Sequence, residues 1–431
     1  LKRAASANAS AADTYYDLVE ERLPLFKPAH VNVVLSELAR LGRVPEAGSR
    51  ASMVLERVLN KFVMLDEKPK HWENSSICQA LGALDVRDVR SIQKVTSQAL
   101  REYQHFGPAE ILQVVKGLSH IGLRDRDCDR LIDGLCRRAL ELMPAFEPTE
   151  FIDLTQRLGL SLTVYKPLFH ATCSRIVEGV WKPELQQLGV LAAGLSEANF
   201  LRDDFSAFVK RSAELGVLGL HASRMGPGEI VGLCRCLRSL EIADVGVPED
   251  QVIALRAFVE QALPRLGPDY GPRVLRQLAP VLINRGIDLP EHFTRCLSAA
   301  DWDGISDRPM RASKIELKVS GILDGMGIKH QHGGSILTYS TDFVLTSSSG
   351  ARLNLEVDGD AFHRVRVVGE SAKTAERTLR DVFRDRVLNK AGIETVRFFT
   401  SEFDHLTHRD KERFLWGLLS DFLRQERVHR I

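Results

Sequence analysis

Residues Leu353–Arg364 read LNLEVDGDAFHR. Leu353, Leu355 and Val357 alternate along it, the pattern of a strand with a buried apolar face. Side chains two apart on a strand share a face, so Glu356 and Asp358 fall together at its end. Gly359 allows a sharp exit, and His363 follows within a few residues. Paired carboxylates at a strand end are the oxygen ligands that Mg²⁺ takes. They are equally the solvated polar face of an ordinary strand, and the tetrapeptide EVDG alone favours that plainer reading.

Working outward, DWDGISDRP near residue 303 reads as a linker, followed by a helical pattern over residues 310–326. Two alternating stretches, 335–346 and 351–358, flank the serine-rich turn 347–350, which ends in glycine, and together predict a β-hairpin. A helix over 372–390 stops at Gly392, a β-rich stretch follows at 394–399, and a last helix covers 411–424. The order α-β-β-α-β-α describes a small mixed sheet covered by helices.

The helix over 372–390 is basic. Lys373, Arg377, Arg380 and Arg384 fall within about 60° of one another on a helical wheel, opposite Leu379, Val382 and Phe383. Arg364, Arg366 and Arg397 extend the patch, and residues 364–397 hold nine Lys/Arg against five acids. Such a stripe suits phosphate contacts that weaken steeply with salt. A solvated helix laced with pairs such as Arg377–Asp381 and Glu376–Arg380 carries the same pattern. His330 and His332, in KHQHGG, read as part of a polar loop; no second ligand pair accompanies them as a metal site would require.

Residues 13–302 have helical periodicity almost throughout, as in Val31, Val34, Leu35, Leu38 and Leu41. An apolar residue, any residue, then proline recurs at Phe26–Pro28, Phe106–Pro108, Phe146–Pro148, Trp181–Pro183, Met225–Pro227 and Leu266–Pro268, with Trp72–Asn74 as a degenerate copy capped by asparagine. The intervals are 46, 34, 40, 35, 44 and 41 residues. Proline suits the first turn of a helix and the apolar residue can staple back onto it. Carboxylates follow at Glu110, Glu150, Glu184 and Glu229, near the positive end of the helix dipole. Second helices such as 49–65, 89–105 and 203–215 complete each unit. Helix pairs at this period predict an α-solenoid of about seven repeats. No polar residue recurs at one place in the first helices, so no base-reading code is legible.

The 431-residue chain exceeds one ordinary core and has a formal charge of +1. Residues 306–431 carry +3, leaving −2 for the rest, so a nucleic-acid surface has to be a local patch. Seven scattered cysteines without a CxxC pair indicate buried free thiols in a reducing compartment. No apolar run is long enough to span a membrane. Residues 1–12, LKRAASANASAA, fit the remnant of an organellar transit peptide or a disordered terminus. The expected organisation is 1–12 as that terminus, 13–305 as the helical array and 306–431 as an α/β domain.

Tyr339-x-x-Asp342-Phe343, then LNLEVDGDAFH, then Thr378, Leu379 and Arg380 on a basic helix, then AGIETVRF resemble the RAP domain. That module lies at the C-termini of organellar RNA-binding proteins, is abundant in apicomplexans, and is similar in turn to the restriction-endonuclease-like, PD-(D/E)xK fold. The resemblance covers about residues 308–425, and the preceding array looks like those that accompany RAP domains in apicomplexan and algal organelle proteins. The fold class it implies is an α-helical solenoid followed by a small α/β domain of PD-(D/E)xK-like type. The function it implies is non-catalytic RNA binding in a mitochondrion, with a plastid as the alternative. The near-neutral charge suits an rRNA-contacting component or assembly factor of a mitochondrial ribosome, with rRNA and ribosomal proteins as partners and no cofactor. Arg364, Arg366, Lys373, Arg377, Arg380, Arg384 and Arg397 are then the RNA-binding candidates.

The nuclease pattern maps Glu316 to the acid of the first helix, Asp342 to the first core strand, and Glu356 with Asp358 to the acid-x-lysine pair; His363 matches the histidine of the repair-endonuclease branch. Aspartate stands where that pattern has lysine, so Asp358 or His363 would have to act as base, with Asp342 and Glu356 holding Mg²⁺. Two other functions stay open: a Mg²⁺-dependent endoribonuclease using these residues, and a protein-binding scaffold in which the C-terminal unit is a cap.

Overall fold

The computed structural model describes residues 9–40, 45–46, 48–121, 126–201, 203–219, 225–299, 313–347, 350–359, 363, 365–368 and 377–428. The chain is mostly helical with a small C-terminal mixed sheet. Its contacts divide it into two compact units: residues 1–181 with 366–374, and residues 182–365 with 375–431. The composition change near residue 305 therefore lies inside the second unit.

In the first unit, α1 (Ala9–Arg22) precedes four helix pairs. These are α2 (Pro28–Arg40) with α3 (Arg50–Met64), α4 (His71–Ala83) with α5 (Val89–Glu102), α6 (Pro108–Ile121) with α7 (Arg126–Glu141), and α8 (Pro148–Leu160) with α9 (Lys166–Val177). First helices stack on first helices and second on second, as a repeat array requires. Phe26, Phe106 and Phe146 are buried, each closing a short 3₁₀ turn before the proline that opens the next helix. Glu110 and Glu150 reach back from the third helical position to the cap N–H groups of Gly107 and Glu147. A two-residue strand β1 (Thr163–Val164) lies in the α8–α9 connection.

The second unit continues the pairing with α10 (Leu185–Glu197) and α11 (Asp203–Gly219), then α12 (Pro227–Ile242) and α13 (Glu249–Asn284), and α14 (Glu291–Ala299). The C-terminal module follows: α15 (Lys314–Gly325), β2 (His330–Ile336), β3 (Tyr339–Thr346) and β4 (Arg352–Asp358). Strand β5 (Arg366–Val367) belongs to the first unit, where it pairs in parallel with β1. The module then resumes with α16 (Leu379–Lys390), β6 (Glu394–Phe399), and the short helices α17 (Thr400–Phe403), α18 (His408–Leu418) and α19 (Ser420–Val428).

Strand order in the sheet is β2-β3-β4-β6, with the β4–β6 pair parallel and the others antiparallel. Leu353, Leu355 and Val357 enter a core with Val319, Leu323, Phe343, Phe398, Phe403 and Leu415. A second cluster joins Val344 and Ile336 to Leu388 of α16 and to Ile393. A third joins Phe383 and Val387 of α16 to Ile242 of α12, with Ile283 of α13 packed against it. Helix α16 is thus buried between the sheet and the helical repeats of its own unit.

Three array expectations change. Trp72 lies inside α4, whose cap is Lys70, and Asn74 is buried with its amide donating to the Val95 carbonyl at 3.1 Å. The repeat register there belongs to Pro69–His71. Pro183 precedes α10, whose cap is Glu184, so that carboxylate is not inside the first turn. Leu266–Pro268 does not start a helix, because α13 runs unbroken for 36 residues. Buried side chains on both sides, Val259, Ala262 and Leu266 before it and Val274, Leu275 and Leu278 after it, hold one axis against the local proline signal.

First helices share an ending that the sequence reading missed. Asp85, Leu162, Asn199, Asp244 and Gly286 all have φ between 49° and 68°. After most of them the next N–H returns to a carbonyl five residues back, as in Val245 to Leu240 at 2.8 Å, which closes the helix. HQHGGSI, His330–Ile336, is also strand β2 rather than a loop, with His330 bonded to Ser320 at 2.8 Å. The helix expected over 372–390 begins at Leu379, capped by Thr378. Six of the seven cysteines are buried, and none is in a disulfide. No helix among the described residues is long and apolar enough to cross a membrane.

Two crossings are made through glycine. A Cβ on Gly117 of α6 would lie 2.3 Å from the Cys78 carbonyl of α4, and one on Gly189 of α10 would lie 2.3 Å from the Gly232 carbonyl of α12. Gly117→Ala and Gly189→Ala should each cost about 1–3 kcal/mol, because backbone and not a flexible side chain has to move. Gly321→Ala, with open space around it, serves as the control. Urea unfolding midpoints at the control value for both crossing variants would show that the helices part without strain.

Candidate functional site

The acids singled out by sequence come together around the ends of β3 and β4. Asp342 accepts a hydrogen bond from the Val357 N–H at 2.7 Å, so its carboxylate substitutes for a rung of the β3–β4 ladder. Glu356 and Asp358 are buried, 3% and 2% exposed. Glu316 on α15 stands 3.2 Å from His332, whose ring stacks on Phe343 with centroids 4.9 Å apart. Burial pushes the Asp342 carboxyl from its ordinary 3.8 up to about 7, reinforced by the charges of Glu356 and Glu316.

Arginines occupy the remaining acids. Arg384 of α16 pairs with Glu356 and also donates to the Ser340 carbonyl at 2.7 Å. Arg397 on β6, paired with Glu356 of the adjacent β4, donates to Asp358 at 3.0 Å and grips Asp385 of α16 with two nitrogens, at 2.7 and 3.0 Å. Asp385 also pairs with Arg377. His363 lies between two carboxylates, 3.1 Å from Asp381 and 3.4 Å from Asp358. Burial would raise Asp381, but the His363 hydrogen bond, the Arg380 charge and the Thr378 hydroxyl outweigh it and hold the carboxyl far below the usual range.

This arrangement does not fit a Mg²⁺ centre. Oxygens that would face a cation hold guanidiniums at Glu356 and Asp358 and a backbone N–H at Asp342, and the buried Asp358 stands where the pattern needs lysine. Among the described residues no three His, Cys, Asp or Glu are grouped to hold a metal ion.

The stripe expected to face solvent on α16 is instead turned into the fold. Arg384 and Arg397 are 12% and 8% exposed, and each is consumed by the acids above. Arg380, one turn before Arg384 on the same stripe, pairs with Glu197 at 3.4 Å; elsewhere on α16, Arg386 pairs with Asp244 at 3.3 Å and with the Glu241 carbonyl, and Lys390 donates to the Asn284 carbonyl at 2.7 Å. Glu197, Glu241 and Asn284 are the C-terminal ends of α10, α12 and α13, where helix dipoles favour cations. Asn199, just past α10, caps the first turn of α16, accepting from the Leu379 N–H at 2.8 Å. A helical wheel shows which residues share a face and not what covers it; that is the physical reason for the difference. Arg377 is exposed but precedes the helix, so the wheel does not place it. Arg366 is in the first unit, paired with Asp129. Arg364 and Lys373 lie outside the described residues.

Removing Arg397 leaves the buried Asp358 without its main counter-charge and the half-buried Asp385 with Arg377 alone, so Arg397→Met should cost about 3–5 kcal/mol, and Asp358→Asn in the same chain should restore part of it. A urea midpoint equal to wild type for Arg397→Met would contradict the arrangement. Asp342 carries a pH signature of its own. Between about pH 4 and 7 the unfolded chain sheds this proton while the folded chain keeps it, so folding loses stability as pH rises, then levels off. Asp342→Asn, which can still accept from Val357, should therefore gain more in melting temperature over wild type at pH 8 than at pH 4.5. An equal gain at both values would mean an ordinary carboxylate.

No family model matches the chain, and no curated protein matches its sequence.

Proposed function

We propose that the protein is a non-catalytic RNA-binding protein of an organelle, an rRNA-contacting component or assembly factor of a mitochondrial ribosome. Its C-terminal module, in this reading, is a RAP-type domain of restriction-endonuclease-like fold. The observation that carries the non-catalytic half is the pairing of Glu356 with Arg384 and of Asp358 with Arg397, which closes the carboxylates a nuclease would open to metal. Support for the RNA half comes from the RAP-like residues quoted above and from the helical repeats that precede them. Buried thiols outside any disulfide suit the reducing interior of a mitochondrion, and equally that of a plastid.

Sedimentation of native organelle extract with and without RNase tests the reading. Co-migration with a ribosomal subunit, lost on RNase treatment, is the expected result. Migration in a large particle that RNase leaves untouched would favour a protein-binding scaffold. Mg²⁺-dependent RNA cleavage that disappears in Asp342→Ala and Glu356→Ala would overturn the non-catalytic assignment in favour of an endoribonuclease.

A further inference from the structure

The face of α12 and α13 that meets α16 continues past it. Ile242 and Ile283 are the contact positions. Seven residues earlier on the same faces, about 10 Å along each axis, stand Arg235 and Arg276. Arg238 and Arg273 flank them one turn away, and the two helices pack side by side. Four guanidiniums from two helices thus gather at one place. Arg238 donates to Gln277 across the pair at 2.8 Å. Arg235, Arg238 and Arg276 are half-buried, and Arg273 is exposed.

Arg235, Arg238 and Arg273 form no ion pair among the described residues. Glu197, the acid nearest Arg235, is engaged by Arg380. Burial and the charges of Arg238, Arg273 and Arg276 push Arg235 below the usual guanidinium range. Beyond Arg238 the row reaches Tyr339 and Arg384, and the Nε atoms of both Arg238 and Arg384 are buried without an acceptor. At the outer end, one turn before Arg273, the exposed Tyr270 ring lies 5.9 Å from that guanidinium.

We propose that this ledge, Arg235, Arg238 and Arg273 with Tyr270 at its rim, binds the backbone of single-stranded RNA. The guanidiniums take phosphates in fork-like pairs, and a base stacks on Tyr270 beside Arg273. An acidic peptide would use the arginines but not the exposed ring, which is why RNA is the better occupant. The proposal rests on the RNA-binding reading and moves its contact surface from α16, whose cations are spent inside the fold, to α12 and α13.

The test uses the full chain and a fluorescein-labelled oligouridine of about 20 nucleotides, read by anisotropy. Titrations run between about 50 and 200 mM KCl. Arg235→Gln with Arg273→Gln should weaken binding about tenfold or more and flatten the salt dependence by a slope of about 1.4, as loss of two phosphate contacts requires. Tyr270→Ala should weaken binding at least about fivefold with the slope unchanged. Arg377→Gln should bind as wild type. Arg273→Gln and Tyr270→Ala are changes at exposed positions, so they stand as folded variants should the half-buried Arg235 change disturb folding. Wild-type protein that fails to bind overturns both the functional reading and the ledge. Wild type that binds, with unaltered binding in Arg273→Gln and Tyr270→Ala, overturns the ledge alone. Displacement of the oligonucleotide by polyglutamate at equal charge would assign the ledge to an acidic peptide instead.

Discussion

Arg397 reaches from β6 to Asp358 on the neighbouring strand and to Asp385 on the helix above, while Arg384 descends from that helix to Glu356. Burying these carboxylates singly would be prohibitive, since an unpaired charge in the interior costs several kcal/mol. Interleaving them with arginine, and satisfying the arginines from more than one side, makes the layer between β4 and α16 tenable. The same helix carries Arg380, Arg386 and Lys390 to the ends of α10, α12 and α13. Its six-residue step from Arg380 to Arg386 spans about 9 Å, close to the distance between packed helix axes. One short helix is therefore held by charge on both flanks and by Phe383 and Val387 between them.

This dual attachment changes the meaning of the acids with which the sequence drew attention to itself. Strand-end carboxylates that resemble a nuclease site act here as sockets for arginine, and the histidine that resembles a base bridges Asp381 and Asp358. The charge that remains without an ion pair among the described residues is on the repeats, at Arg235, Arg238 and Arg273. The arginines of α16 and those of the repeats differ in whether the fold supplies a carboxylate, a distinction invisible to a count of basic residues.

Much of this was legible in the chain and some was not, for identifiable reasons. Alternation at Leu353, Leu355 and Val357 located β4, and the apolar-x-proline units located α2, α6, α8 and α12, because both signals are local. β2 escaped notice because His330, Gln331, His332 and two glycines have little strand propensity; pairing with β3 and the His330–Ser320 bond supply its order. The acids of the candidate site were visible, yet their partners were not. Glu356 meets Arg384 from 28 residues away and Asp358 meets Arg397 from 39, distances that no periodicity encodes. The i,i+3 arginine pairs on α12 and α13 become informative only once those helices are known to be neighbours.

The unbroken α13 has a consequence for how the array comes apart. In a stack of separate helix pairs each repeat can melt while its neighbour stays folded, and the ends fray first. Here the helix that completes the α12 repeat is also the helix that opens the next, some 54 Å of continuous backbone shared by two units. Melting the last repeat would leave half of α13 unsupported, taking with it the Asn284 end on which Lys390 rests. The terminal repeats and the C-terminal module are joined into a single cooperative block, and unfolding there is all or none.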